Sequence, residues 1–359
     1  MRSDTSREGR LKSLQSKIPQ GGALLLTTGS DILYYSGFYS QGEVLLLAQK
    51  HRPVCFIDNM NRSLAETKLK NSTIKVIPGK GPLSNVIAEH FKAKGLKDLF
   101  LDIGNISVMF YKGLAHCMRG IKIKDSLASR KVRDVLSGIR AVKSDKEIAL
   151  LRFLAAETVR IWRKANRKIR PGMTEVEIAR MVDIIVREEG YENSFPTIVA
   201  AGANSAYPHA IPSEKRLGKK EHVMVDFGIR DKFYCSDLTR IWGECRINGQ
   251  IRDLCESVRE IQKKAIGYIG PGVSIKQTVK KVNDLFSEKG LLGFVMHSLG
   301  HGIGLDVHER PGVGMSSEDK FEKGMVVTVE PGLYVPGKGG ARIEDMVLVT
   351  SKGREVLTI

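Results

Sequence analysis

The stretch Ile169–Thr174, IRPGMT, returns 100 residues later as Ile269–Ser274, IGPGVS. In each copy a Pro-Gly turn is followed by Thr or Ser, whose side-chain oxygen starts a helix by accepting a backbone hydrogen bond. Each predicted helix ends at a glycine, Gly190 in the first copy and Gly290 in the second. Because order and spacing both repeat, the sequence predicts a duplicated unit. Its two halves would face each other across a pseudo-twofold axis, with a cleft between them.

An acidic residue ends an apolar segment after each copy. In the first half the segment is Val223–Asp226, VMVD, and a second acid follows at Asp237. If the chain reverses about Asp231 and Lys232, Asp226 and Asp237 are directly opposed on one face, with Cβ atoms about 4.5–5.5 Å apart. We therefore predict a carboxylate pair on a hairpin.

The second half repeats this arrangement. Glu330 ends the predicted strand Val326–Val329, and Glu344 follows the glycine-rich segment Pro331–Gly340, which we expect to be a loop. A hairpin centred near Gly337 again opposes the two acids. The sequence thus predicts that four carboxylates from two related hairpins converge on the cleft.

Carboxylates this close repel one another, so they must share a proton, pair with a base or hold a cation. A nitrogen ligand is available in His297–Gly304, HSLGHGIG, where glycines on both sides of His301 let the backbone approach a crowded site. His308 follows in the same segment, and His209 is a fourth candidate. These residue types together favour a metal site in the cleft.

The donor set restricts the metal. Oxygen ligands with one imidazole and no thiolate suit Mn²⁺, Co²⁺, Fe²⁺ or Zn²⁺. Four carboxylates and a histidine are too many donors for one tetrahedral zinc, and they suit two ions about 3.5–4 Å apart in a hydrolytic site. Simpler interpretations stay open: Asp237 and Asp345 could pair with Arg240 and Arg342, and the histidines could be ordinary loop residues.

The first ~135 residues alternate short apolar runs with helix-like stretches, the pattern of an α/β domain. The runs are bounded by Gly, Asp or Pro and are typical of strands buried on both faces. A helix is expected between two of them, at Leu83–Lys94. The predicted strands are Ala23–Thr28, Val44–Ala48, Val54–Ile57, Ile74–Ile77 and Leu99–Leu101.

A capping box marks the start of the second region. Ser144 is followed three residues later by Glu147, and apolar residues then recur at helical spacing. We place the domain boundary just before this helix, near residues 136–145.

Composition narrows the class of protein. With 359 residues, 42% hydrophobic and 27% charged, the chain is long enough for two globular domains. Of its net charge of +17, residues 1–150 carry +12 and residues 151–359 carry +5. This excess of positive charge makes nucleic acid a candidate partner, although a solvated basic surface is the simpler interpretation. Five cysteines without a C-x-x-C pair, no membrane-length apolar run and no signal-peptide core predict a cytoplasmic protein.

Residues 139–359 resemble the aminopeptidase P and prolidase family of metallopeptidases. Residues 1–138 are similar to the creatinase-type N-terminal domain, because Ile32–Phe38, ILYYSGF, matches that domain's early signature. The resemblance implies an α/β N-terminal domain, followed by an α+β catalytic domain with the pita-bread fold and its internal pseudo-twofold repeat.

The resemblance also implies roles for the candidate residues. Asp237 and Glu344 would bridge two metal ions, for which Mn²⁺ or Co²⁺ is favoured and Zn²⁺ or Fe²⁺ is an alternative. Glu330 would be both ligand and proton shuttle. The implied metal ligands are Asp226, Asp237, His301, Glu330 and Glu344. The further active-site residues are His308 and His297, which would stabilise the oxyanion, His209 and Arg342, which would position substrate or ligands, and Tyr334.

The activity implied is hydrolysis of the bond between the first residue of a peptide and a proline at the second position. We favour an Xaa-Pro aminopeptidase, with an Xaa-Pro dipeptidase (prolidase) as the alternative. An alternative of another class is a basic nucleic-acid or protein-binding scaffold on the same fold. The resemblance implies a homodimer, with no nucleic-acid or membrane partner.

Overall fold

The computed structural model describes residues 6–126, 138–243, 247 and 249–359. They form two compact units, Met1–Ile139 and Arg140–Ile359, called unit 1 and unit 2 below. Part of the predicted boundary segment 136–145 lies outside the described residues, as does Cys245. In the part of the chain that is described, no helix has both the length and the apolar character to cross a bilayer.

Unit 1 is the predicted α/β domain. In chain order its strands β1 to β6 are Gly22–Leu26, Val44–Gln49, Val54–Ile57, Lys75–Pro78, Asp98–Leu101 and Lys122–Asp125. They form one mixed sheet in the order β4-β3-β2-β1-β5-β6. Every residue of the three central strands β1, β2 and β3 is buried. The expectation of full burial is wrong for β4, which has a partner on one side only and is partly exposed.

The helices of unit 1 pack apolar residues against this sheet. The predicted helix at Leu83–Lys94 has those bounds and ends at Gly95, whose φ of 63° closes the last turn. Its Ile87 and Phe91 are fully buried in the same cluster as Phe56 of β3. Helices α1 to α5 are Arg7–Lys17, Gly29–Ser36, Arg62–Leu69, Leu83–Lys94 and Val108–Cys117.

Unit 2 carries the predicted duplication. Two helices in the first half, α6 (Asp145–Asn166) and α7 (Glu175–Glu188), correspond to two in the second half, α8 (Gln250–Gly267) and α9 (Ile275–Glu288). Helices α7 and α9 both have fourteen residues and start 100 residues apart. The capping box predicted at Ser144 is present at the start of α6.

The turns before α7 and α9 confirm the repeat in detail. Thr174 and Ser274 cap the two helices as predicted. Thr174 also forms an isolated bridge with Arg216, and Ser274 forms one with Lys320. Because caps and bridges recur at equivalent positions, the two halves share one local architecture.

The strands that the structure describes in unit 2 form four small sheets. Their orders are β11-β10-β7, β12-β9-β8, β14-β13-β15-β18-β19 and β16-β17. One apolar core joins α6 and α7 to β8, β9 and β12, and another joins α8 and α9 to β15 through β18. Strands β7 to β19 are Glu192–Asn193, Ile198–Ala201, Val223–Phe227, Ile229–Asp231, Tyr234–Cys235, Leu238–Trp242, Gly300–Gly302, Glu309–Val313, Val326–Val329, Gly332–Val335, Gly339–Arg342, Asp345–Thr350 and Gly353–Val356.

Candidate active site

A cavity of about 680 Å³ opens in unit 2, and we call it the catalytic cavity. The five predicted metal ligands contribute to its wall, as do four of the five further active-site residues, with Tyr334 as the exception. One part of the wall is apolar and includes Phe195, Ile198 and Ile211. The predicted residues in the wall are Asp226, Asp237, His301, Glu330, Glu344, His209, His297, His308 and Arg342.

The first predicted hairpin forms, but with a different register. Asp226 lies opposite Thr239 and not opposite Asp237. The chain reverses at Lys232 and Phe233, both of which have the positive φ that a type I′ turn requires. The expected turn about Asp231 and Lys232 is therefore wrong by one residue. Since this shifts the pairing by two residues, Asp237 stays on the predicted face.

The second hairpin has the predicted register. Its strands β16 and β17 pair about Gly337, and β15 and β18 continue the same register beyond them. Glu330 and Glu344 therefore occupy opposed positions at the junction of the two ladders. The expected loop at Pro331–Gly340 is wrong for most of its length, because β16 and the start of β17 occupy it.

At the centre of the site lies a cluster of three ligand-type side chains. One potential ligand atom from each of Asp237, His301 and Glu344 lies within 4.8 Å of the other two. His301 Nε2 is 3.6 Å from Asp237 Oδ2 and 3.4 Å from Glu330 Oε1. The two hairpins and the strand Gly300–Gly302 thus bring three carboxylates to one imidazole.

The hydrogen bonds of His301 orient it as a ligand. Its Nδ1 lies 3.1 Å from the carbonyl oxygen of Gly302, which can only accept. The proton therefore belongs on Nδ1, and Nε2 presents a lone pair to the carboxylates. Burial, followed by the neighbouring His308, lowers the pKa of His301 to about 4, so the ring is neutral near pH 7. A neutral imidazole oriented in this way can bind a metal ion.

Unsatisfied oxygen atoms show that the site fits a cation. Asp226 Oδ1, Asp237 Oδ1 and Glu344 Oε1 are buried and have no hydrogen-bond partner among the described residues. A buried carboxylate oxygen without a partner carries a large desolvation penalty. Three such atoms beside an available imidazole nitrogen are the donors that a divalent metal requires.

The carboxyl groups of the cluster also resist ionisation when no cation is bound. Burial, and then the charge of Glu344, raises the pKa of Asp237 well above its usual range. Burial, and then the charge of Glu330, does the same for the pKa of Glu344. Burial raises the pKa of Glu330 to about 7, although the positive charge of Arg342 opposes the shift.

Arg342 connects the carboxylates to the histidines. Its Nη2 donates to Asp226 Oδ2 at 2.6 Å, and its Nη1 donates to the Tyr334 hydroxyl at 2.8 Å. Burial opposes the charge of Arg342, but Asp226 and other nearby acids outweigh it and raise the pKa. The Tyr334 oxygen lies 2.7 Å from His297 Nε2. Because His297 Nδ1 faces the carbonyl oxygen of Ser298 at 2.8 Å, Nε2 accepts from Tyr334, and both ring nitrogens are engaged.

Sequence reasoning missed two threonines that support the ligands. The Thr239 hydroxyl donates to Glu344 Oε2 at 2.7 Å and accepts from Arg342 Nε at 3.1 Å. Thr328 Oγ1 accepts from the backbone N–H of His301 at 3.1 Å. Thr239 lies two residues after Asp237, and Thr328 lies two before Glu330. Side chains alternate along a strand, so this spacing from each acid was the available signal.

Neither of the simpler pairings, Asp237 with Arg240 and Asp345 with Arg342, forms among the described residues, because both arginines bind other acids. Arg240 pairs with Asp345 at 2.6 Å and also donates to the carbonyl oxygen of Glu344 at 2.5 Å. Arg342 binds Asp226 and not Asp345. His308 lies beside the cluster, with its ring 4.2 Å from that of His301.

The fold and the cluster together define a metallohydrolase site on a duplicated scaffold. Residues 149–351 match metallopeptidase family M24, so the chain belongs to that family. The expected enzyme class, a metallopeptidase, and the expected pita-bread fold are thereby confirmed. The family implies bound divalent metal ions.

Relatives and solved structures match over nearly the whole chain. An Xaa-Pro dipeptidase of Pyrococcus horikoshii is 32% identical over 94% of this chain and 92% of its own. The structure of an Xaa-Pro dipeptidase from Bacillus anthracis superposes with a TM-score of 0.89 and 29% identity, covering 98% of both chains. An X-Pro aminopeptidase of Thermotoga maritima has a TM-score of 0.80 and 28% identity, covering 94% of this chain and 96% of its own.

Proposed function

We propose that this protein hydrolyses the peptide bond between the first residue of a peptide and a proline at the second position. The observation that carries the proposal is the cluster of Asp237, His301 and Glu344 beside Glu330. It lies in a cavity with an apolar wall that suits a proline ring. The substrates named for the relatives, Xaa-Pro dipeptides and X-Pro peptides, support the same class.

The cluster would hold two divalent ions, with Mn²⁺ or Co²⁺ favoured. Asp237 and Glu344 would contribute to both ions, Asp226 to one, and His301 and Glu330 to the other. The unpartnered oxygens of Asp226, Asp237 and Glu344 support this assignment. When bound, such ions polarise the scissile carbonyl and lower the pKa of water.

Glu330 would move the proton that hydrolysis requires. The reaction adds the hydroxyl of water to the carbonyl carbon, and the proline nitrogen leaves with a proton. Glu330 lies in the wall of the catalytic cavity with its Oε1 3.4 Å from His301 Nε2, where its carboxylate can accept the proton of water and pass it to the leaving nitrogen.

The histidines and Arg342 would bind the reacting groups. His308 lies exposed in the wall of the cavity, where its N–H can stabilise the oxyanion. His297 would stabilise the oxyanion only after giving up one of the two hydrogen bonds that its ring nitrogens form. Arg342 fixes Asp226, and His209, which lines the same cavity, would position the substrate.

We favour an aminopeptidase that accepts longer peptides. The second candidate is a dipeptidase, because the Pyrococcus and Bacillus relatives carry that description. The test is hydrolysis of Ala-Pro, Ala-Pro-Leu and Ala-Ala-Leu by protein dialysed against chelator and reloaded with Mn²⁺ or Co²⁺. The proposal expects metal-dependent cleavage after the first residue of the proline peptides and little cleavage of Ala-Ala-Leu. No cleavage of either proline peptide would refute it.

The setting of the enzyme is also part of the proposal. The described cysteines Cys55, Cys117, Cys235 and Cys255 are all free thiols. Free thiols are typical of proteins in a reducing compartment, so we place the protein in the cytoplasm. We expect a homodimer there.

A further inference from the structure

A second cavity of about 480 Å³ lies beside the catalytic cavity, and we call it the side cavity. The two cavities share His297 and Ser298 in their walls. The backbone of Gly332 also lines the side cavity, and a Cβ added to this glycine would lie 2.8 Å from His297 Nε2. Glycine at this position therefore leaves room between the strand and the imidazole.

Apolar side chains supply most of the remaining wall. Val282 and Phe286 of α9 are fully or almost fully buried beneath it. Leu292 and Met315 are 42% and 43% exposed, although both are large and apolar. Exposed apolar side chains around a concave apolar surface mark a site that binds an apolar group.

We propose that the side cavity binds the third residue of the peptide substrate and prefers a large apolar side chain there. The inference rests on the proposed Xaa-Pro peptidase function. It assigns a selectivity at the third position that would distinguish this enzyme from a strict dipeptidase.

The direction of the peptide follows from the reaction. The catalytic cavity has apolar walls of its own for the first two residues, formed in part by Phe195, Ile198 and Val307. An enzyme that removes a single first residue binds nothing before that residue. A peptide that continues past His297 into the side cavity must therefore do so with the residues after the proline.

The chemistry of the shared wall agrees with an uncharged segment of peptide. Burial lowers the pKa of His297 to about 4, so its ring is neutral near pH 7. Asn283 and Ser316 are the kind of uncharged polar groups that can bind a peptide backbone. A leucine or phenylalanine side chain would gain affinity by burial against Leu292 and Met315, whose apolar surface is exposed there.

The test introduces a charge at the rim, where the fold tolerates it. Met315→Glu is compared with wild type and with Ile184→Glu, a matched control whose side chain is 56% exposed on α7 and lines neither cavity. The substrates are Ala-Pro, Ala-Pro-Leu and Ala-Pro-Arg, with the Mn²⁺-loaded enzyme. A second readout is calorimetric binding of the product Pro-Leu, compared with proline.

The expected result is a change of selectivity. Burial of a leucine side chain is worth about ten-fold in affinity or more, so Met315→Glu should lower the kcat/KM ratio of Ala-Pro-Leu to Ala-Pro about ten-fold. The same variant should raise the ratio of Ala-Pro-Arg to Ala-Pro, which simple damage to the fold cannot do. Wild type and Ile184→Glu should bind Pro-Leu more tightly than proline, and Met315→Glu should lose that preference.

Other outcomes separate the inference from the proposed function. If the enzyme cleaves Ala-Pro but the Met315→Glu and Ile184→Glu variants show the same ratios as wild type, the side-cavity assignment is wrong and the peptidase function stands. Cleavage of Ala-Pro without cleavage of Ala-Pro-Leu also overturns the assignment alone. If neither peptide is cleaved, the proposed function fails and the assignment falls with it.

Discussion

The ionised carboxylates of Asp237 and Glu344 are strongly destabilised when no cation is bound. Both are almost completely buried, and each has an oxygen without a hydrogen-bond partner among the described residues. In addition to burial, the charge of Glu344 raises the pKa of Asp237, and the charge of Glu330 raises the pKa of Glu344. The surrounding groups do fix their positions, since Thr239 holds Glu344 and Arg342 holds the neighbouring Asp226. The geometry is therefore prepared for positive charge beyond that of Arg342, at the carboxylate oxygens that have no hydrogen-bond partner.

Replacement of Asp237 by alanine should remove activity and metal together. Loss of a residue that only supports a metal ligand lowers metal affinity or activity by about 10–100-fold. Loss of a ligand to both ions should therefore lower kcat/KM by more than about 100-fold. Metal content after dialysis, measured by mass spectrometry, should fall below two ions per chain. Asp284→Ala, an exposed helix position, is the control. Two ions retained in Asp237→Ala would contradict the bridging role.

The Thr239 hydroxyl should stabilise both the fold and the metal site, because it bonds to Glu344 and to Arg342. Thr239→Val removes the donor to Glu344 and the acceptor for Arg342 while keeping the shape of the side chain. A buried polar group left without its partner lowers the free energy of unfolding by about 1–3 kcal/mol, so we expect a lower melting temperature. We also expect metal affinity to fall by roughly 10–100-fold. Thr239→Ser keeps the hydroxyl and should behave like wild type. Equal losses in both variants would show that packing is responsible.

Among the secondary structure elements, the two hairpins show what the sequence could determine. In the second hairpin, alternation and a glycine at the turn gave the register correctly, because Gly337 with φ of 74° marks the reversal. In the first hairpin the turn residues are Lys232 and Phe233, which rarely take positive φ, so no local signal placed the reversal. The carboxylates still converge, because the shift of two residues preserved their face.

What sequence reasoning could not provide was the set of contacts between distant elements. The side chain of Arg342 reaches Asp226 across 116 positions of the chain, and no period or motif encodes that contact. The strand β4 illustrates the same limit, because its exposure depends on its place at the edge of the sheet. The repeat and the acids were predictable since they rest on local spacing.

The loop that carries His308 is held by a buried ion pair. Glu309 Oε1 lies 2.7 Å from Lys143 Nζ, and their side chains are 7% and 1% exposed. Glu309→Gln leaves the ammonium group of Lys143 buried without a charge partner, which typically destabilises by about 3–5 kcal/mol. Urea unfolding should show a lower midpoint, whereas the exposed control Glu318→Gln should not. An unchanged midpoint for Glu309→Gln would mean that solvent reaches Lys143.

A second ion-pair group joins helix α6 to the end of α7 and sets a pH dependence. Hydrogen bonds from Arg160 and then Lys164 lower the pKa of Glu189 to about 2 from its usual 4.5. The stabilisation is therefore complete above about pH 4.5 and is lost as the pH falls toward 2. The melting temperature of wild type should exceed that of Glu189→Gln near pH 6, and the difference should shrink by pH 3. Glu188→Gln, on the exposed face, is the control, and a constant difference would exclude the pair as its source.

On the scale of the whole molecule, most of the positive charge lies in the N-terminal part of the chain, and the candidate catalytic residues lie in the C-terminal part. All the candidate catalytic and ligand residues belong to unit 2, which has apolar cores of its own. Residues 1–150 carry most of the positive charge and none of these groups. The net charge of +17 therefore describes the N-terminal part of the chain and says little about the reaction.

This division leads to a test of what the N-terminal region contributes. A fragment that begins at residue 139 should fold and bind metal ions, because the site residues and the cores that position them are within it. It should lose either the dimer or the preference for proline peptides, since these are the functions left for residues 1–138. Sedimentation velocity of the full chain and the fragment, with cleavage of Ala-Pro and Ala-Ala-Leu, separates the two effects. A fragment that is dimeric, fully active and still selective would show that the basic N-terminal region serves neither function.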